Sequence, residues 1–179
     1  MASGIIIPGD YDDWRWAGMG KGTGPSNPTR SALPGGTTEC WDFANAKTLH
    51  SDGNQIPHDY KEGTDIIPHL HYMIPTSGNY AGTWTMKYQL LPTVANDTLL
   101  PDEVTITIPF THTGAVARQC KTASFSANIS GTSPATVRVS AIMHANLTLT
   151  LTTGSSLFLH GWDGHYLKDR LGSRTATAK

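Results

Sequence analysis

The chain has 179 residues, enough for one domain with a real buried core. Charged residues make up 15% of it and the formal net charge is -1, where about a quarter charged is usual. Lys and Arg form no cluster or stripe, so no nucleic-acid partner is expected, and no apolar run approaches the roughly 20 residues of a membrane helix, so no membrane partner is expected either.

The opening Met1-Ala-Ser-Gly-Ile-Ile-Ile-Pro8 has no basic region and only three consecutive large apolar residues, so it does not read as a signal peptide. Asp10-Tyr11-Asp12-Asp13-Trp14-Arg15-Trp16 follows. Then comes Ala17 to Pro28, with four glycines and two prolines in twelve residues, which sustains neither a helix nor a central strand. Aromatic residues beside such a stretch are unusual for a disordered tail. Residues 1–36 are therefore expected to form an extended arm that docks by its aromatics, on this domain or on a neighbour. Tyr11, Trp14 and Trp16 are the candidate partner-binding residues.

From Thr37 onward the pattern has period two, with turn signals between short runs. Glu39 to Phe43 alternates, and Ser51-Asp52-Gly53-Asn54 reads as a turn. Asp65 to Met73 reads as a strand with Ile67, His69, His71 and Met73 on one face and Ile66, Leu70 and Tyr72 on the other. Pro75 to Asn79 turns the chain into a strand over Thr83 to Leu91, and the two strands resemble a hairpin. Further strands are expected at Val104 to Phe110, around Lys121 to Phe125, at Thr136 to His144, at Asn146 to Thr153 and at Leu157 to Leu167. About eight strands and no helical periodicity predict an all-β protein. The expected architecture is an antiparallel β-sandwich, best matched by a jelly roll, over residues 37–170, with a polar tail at 171–179.

The chemistry centres on His69 and His71. Two residues apart on a strand, they point the same way. That arrangement suits a metal or a pair of neutral, packed histidines. Gly63-x5-His69-x-His71 has the opening spacing of the first cupin motif, a metal-binding signature on a β-barrel. The Glu that should follow is missing from Tyr72 to Ser77. A third ligand would have to come from His112, His144, His160 or His165 in space, or from symmetry mates around a trimer axis. His69 and His71 are the metal candidates. No cofactor is otherwise expected. No Gly-x-Ser-x-Gly elbow, P-loop or dinucleotide fingerprint is present, and the carboxylate clusters at Asp10, Asp12 and Asp13 and at Asp97, Asp102 and Glu103 read as solvated turns, so the chain does not read as an enzyme. Cys40 and Cys120, 80 residues apart with no CxxC, read as buried free thiols, with a disulfide between them as the alternative. Sequons at Asn96, Asn128 and Asn146 read as chance matches.

Tyr60-Lys-Glu-Gly-Thr-Asp-Ile-Ile-Pro-His-Leu-His-Tyr72 resembles a block found in structural proteins of tailed bacteriophages, where it precedes a Trp-bearing strand, here Gly82-Thr-Trp84-Thr-Met-Lys-Tyr88. Gly164-His-Tyr-Leu-Lys-Asp-Arg-Leu-Gly-Ser-Arg174 resembles the ending of the same proteins, and Tyr11-Asp-Asp-Trp14 is compatible with them. These blocks cover about a third of the chain, and residues 92–157 show no matching feature. The resemblance implies a virion component on the capsid surface, made in the host cytoplasm. The expected function is that of a non-enzymatic capsid decoration or cement protein, binding the major capsid protein and itself as a homotrimer. A tail- or fibre-associated receptor-binding protein and a cupin-like metalloprotein are the alternatives.

Overall fold

In a computed structural model, residues 11–16, 26–91, 101–131 and 139–169 are described. Ten strands are present among them: β1 (Tyr11–Arg15), β2 (Thr29–Ala32), β3 (Glu39–Ala44), β4 (Lys47–Gln55), β5 (Ile67–Ile74), β6 (Gly78–Leu91), β7 (Val104–Ala115), β8 (Gln119–Ser124), β9 (Ile142–Thr153) and β10 (Ser156–Leu167). They form two antiparallel sheets, so the expected all-β sandwich is the fold. One sheet has the order β2-β3-β10-β5-β8, with β1 added on β10; the other has the order β4-β9-β6-β7.

The alternation read from the sequence places the core between the sheets. Leu70, Tyr72 and Ile74 of β5 and Leu157, Leu159 and Trp162 of β10 are buried, as are Trp84 and Met86 of β6 and Leu147 and Leu149 of β9. Trp84 joins the layers: its ring lies 5.1 Å from that of Phe43 and 5.8 Å from that of Tyr72. Each buried aromatic of this kind removes a large apolar area from water and adds ring-edge complementarity.

Several expectations change. Ser51 to Asn54 is not a turn but a bulge inside β4, where the pairing with β9 shifts register between Ser51 and Asn54. The Ser51 hydroxyl accepts from Ala145 N at 3.2 Å and from Asn54 Nδ2 at 3.2 Å, so the interrupted ladder keeps its hydrogen bonds. β5 and β6 are not a hairpin, because they lie in different sheets and Pro75 to Ser77 carries the chain across. The two strands expected between Thr136 and Thr153 reduce to β9, which starts at Ile142 after a turn with Ser140 at a φ of 68°; residues 132–138 lie outside the described residues. Cys40 is buried as expected, but Cys120 is exposed, and both are free.

Where it is described, the N-terminal segment docks by its aromatics on its own domain, one of the two expectations. β1 and β2 are strands of the six-stranded sheet rather than a separate arm. Trp14 and Trp16 turn inward from β1, over Gly164, which pairs with Trp14. Only Tyr11 of the three candidate partner-binding residues is exposed, at 46%. The indoles of Trp14 and Trp16 are occupied by packing in their own domain. Residues 17–25, most of the Gly/Pro-rich stretch, and the tail at 171–179 lie outside the described residues.

Candidate functional site

β10 is the strand that builds the site. Along one edge its first residues pair with β3, from Ser156↔Ala44 to Leu159↔Trp41. Its last residues pair with β1, from Asp163↔Arg15 to Leu167↔Tyr11. The partner strand thus changes midway, and there β10 carries a bulge between Leu159 and Gly161. A cleft of about 570 Å³ opens at this point, lined by Asp13, Arg15, Trp16, His71, His160, Gly161, Trp162 and Asp163.

Beyond the bulge the register sets Asp163 opposite His69, Gly161 opposite His71 and His165 opposite Ile67. Side chains of paired residues share a face, so His69, His71, Asp163 and His165 all stand on the outer face of the six-stranded sheet. Gly161 leaves room beside His71: a Cβ added there would lie 3.5 Å from the His71 ring.

The polar atoms converge. His69 Nε2 lies 2.9 Å from Asp163 Oδ1 and 3.0 Å from His71 Nε2, and His71 Nε2 lies 3.8 Å from the same carboxylate oxygen. His165 stacks on His69, with ring centroids 4.2 Å apart and planes 9° from parallel. Its Nδ1 approaches Asp13 Oδ1 at 2.7 Å. On the far side of His71, Nδ1 lies 3.2 Å from the Thr122 hydroxyl of β8, the residue it pairs with across the sheet.

Burial is deep for an outer face. His69 is 4% exposed and Asp163 is 7% exposed, and the His165 ring is stacked on that of His69. Desolvation holds the His69 imidazole below its ordinary range, against the opposing pull of Asp163. Desolvation also raises the Asp163 carboxyl, against the neighbouring histidines. Each group is pushed toward its neutral form for the same reason, removal from water.

The sequence pair His69 and His71 is therefore brought together with a carboxylate that sequence reasoning did not single out. Among the other histidines proposed as third ligands, His165 packs against His69, His160 borders the cleft, and His112 lies in the other sheet, its Nε2 3.0 Å from the Tyr72 hydroxyl. His144 stands on β9 beside Gly53. Asp163 carried one sequence signal, its two-residue spacing from His165 in an alternating strand. Its partnership with His69 depends on cross-strand register, which no local spacing encodes.

The segments that begin at Tyr60 and at Gly164 are neighbours in space. Tyr60 pairs with Lys168, and Lys61 N donates to Leu167 O at 2.8 Å. Asp65 accepts from Gly131 N at 3.1 Å and Asn128 Nδ2 at 3.2 Å, tying the 126–131 loop to the start of β5. Lys61 to Asp65 thus form a turn before the strand, with Gly63 at a φ of 82°. No protein-family model matches the chain, and a search of curated proteins finds no match.

Proposed function

We propose that the chain is a non-enzymatic structural protein of a tailed-bacteriophage virion, a decoration or cement protein that binds the major capsid protein lattice as a homotrimer. Two observations support this reading, the strand order and the two sequence blocks. With β1 and β2 set aside, β3-β10-β5-β8 facing β4-β9-β6-β7 is the order that supports a jelly roll of two Greek keys. Jelly rolls recur in viral capsid domains, in lectins and in cupins. Fold alone does not choose among these. The phage-like blocks at Tyr60 to Tyr72 and from Gly164 onward favour the virion, and their contact through Tyr60 and Lys168 makes them one structural unit.

A cupin-like enzyme is less well supported, because a barrel enzyme would enclose its ligands and these histidines face outward. Exposed Tyr11 and Val116 offer apolar contact area for a subunit or lattice partner. Removing residues 1–20 is a poor test of the partner surface, since β1 and its two tryptophans would be lost from the core. The better test is sedimentation of the full chain with expanded capsids of the phage that encodes it, using wild type and Tyr11→Ala, together with the mass of the free protein. Saturable binding by a trimer is expected. A monomer that never co-sediments would refute the reading, and immunogold label on tails would move it to the tail-associated class.

A further inference from the structure

We propose that His69 Nε2, His71 Nε2 and Asp163 Oδ1 bind one divalent transition-metal ion of the zinc type per chain, with a fourth coordination position open to the cleft. The site is independent of the virion reading.

The geometry comes first. In a tetrahedral zinc site with ligands at about 2.0–2.1 Å, the ligand atoms stand about 3.3 Å apart. The three separations here, 3.0, 2.9 and 3.8 Å, bracket that value. Three atoms so spaced lie on a circle of about 1.9 Å radius, so an ion slightly off their plane reaches all three at bonding distance. His71 and Asp163 also line the cleft, which leaves the fourth position to water or another small ligand.

Proton counting gives the second argument. A neutral imidazole nitrogen carries either a hydrogen or a lone pair. If His69 Nε2 carries the hydrogen and aims it at Asp163, His71 Nε2 is left 3.0 Å away without a bond of its own. If His71 donates to His69 instead, the His69 lone pair faces the carboxylate at 2.9 Å. One hydrogen does not serve both contacts. Asp163 Oδ1 is buried and makes no well-formed hydrogen bond, although it points at both imidazoles. Leaving such an oxygen unsatisfied is costly. A cation uses all three lone pairs at once.

The outer contact of His71 fits. In the tautomer that leaves Nε2 free, His71 donates Nδ1–H to the Thr122 hydroxyl at 3.2 Å, the kind of outer contact that orients a metal-bound imidazole. Both ligand-bearing strands, β5 and β10, lie inside the sheet rather than at its edges, which holds the ligands in place. Two imidazoles with one carboxylate favour zinc, cobalt, nickel or copper over calcium or magnesium.

The test uses the full chain, stripped with chelator and titrated with Zn2+ alone by calorimetry, with Co2+ as a spectroscopic probe and oligomeric mass measured alongside. One equivalent per chain, a visible tetrahedral Co2+ band and a higher Tm with Zn2+ are expected. His71→Ala, at a side chain that is 44% exposed, and Asp163→Asn should each weaken Zn2+ binding about a hundredfold or more while the far-ultraviolet circular dichroism stays native. His50→Gln, in the other sheet, should leave it unchanged. Absence of uptake at micromolar Zn2+, full binding by both ligand variants, loss of binding in His50→Gln, or one ion per three chains would each overturn the proposal.

Discussion

Trp16 and Trp162 meet edge to face, with ring centroids 4.9 Å apart and planes at 90°. Trp14 extends the contact, its ring 5.6 Å from that of Trp16. β1 has only five residues paired with β10, so this aromatic packing is the main reason the strand stays attached. Trp16 is 2% exposed. Trp16→Ala is expected to destabilise the fold by about 3–5 kcal/mol and to release β1 first. Urea denaturation with hydrogen exchange at Asp13 and Arg15 measures both effects. An unchanged midpoint with full protection of β1 would show that the indole does not hold the strand.

Stability should fall on mild acidification, and His112 should account for part of the slope. Desolvation first, then Lys121, holds this imidazole below its ordinary value of 6.5. Its Nε2 lies 3.0 Å from the Tyr72 hydroxyl, which burial pushes up to about 12, so the hydroxyl keeps its proton. Phe110 stacks alongside. Unfolding restores the ordinary imidazole, so between the folded value and about 6.5 the unfolded chain binds more protons. The contribution is full above 6.5 and is lost as pH falls through that window. His69 and His160 are shifted the same way, so the comparison must be with His112→Gln. The variant should show a shallower loss of urea midpoint between pH 7.5 and 5. An identical slope would remove His112 from the account.

The alternation in β5, β7 and β10 made the sandwich legible, because burial on one face imposes period two on the sequence. Elements governed by pairing rather than by local pattern were not legible. Ser51 to Asn54 has turn composition, yet the Ser51 hydroxyl lets the strand continue through it. β5 and β6 look like a hairpin, but their buried faces belong to opposite sheets, and local sequence does not encode sheet membership. Trp14 and Trp16 sit on one face of a strand that happens to lie over a glycine, Gly164, and that opening is visible only once β1 is docked. His69 and His71 were found by their spacing. Asp163, nearly a hundred residues away, entered only through the register of β10.

Gly82 should be intolerant of any side chain. It lies where β6 shifts register against β9, between Ala81 and Gly82. A Cβ there would stand 2.3 Å from the Thr150 carbonyl oxygen and 3.1 Å from Leu151 Cα. These are backbone atoms of a central strand, so they do not move aside as a side-chain tip would. Gly82→Ala should cost about 1–3 kcal/mol, lowering Tm by about 2–4 °C for each kcal/mol at this chain length. Differential scanning calorimetry reads the shift. A Tm within a degree of wild type would mean that the two strands separate there without penalty.

The two cysteines should differ in reactivity and should never pair. Cys40 lies on β3 and Cys120 on β8, with β10 and β5 between them. Three strand spacings come to roughly 14 Å, twice the roughly 7 Å within which two Cα atoms can be bridged. Cys40 is buried beside Met73 and Phe158, and desolvation, with Asp42 adding to it, raises its thiol further from the reactive thiolate. Cys120 is exposed on the outer strand. A disulfide-exchange dye should therefore label about one thiol per native chain rapidly and the second only on unfolding. In Cys120→Ser the fast phase should vanish while the slow one persists. Fast labelling of two thiols, or none without reductant, would contradict the positions of both residues.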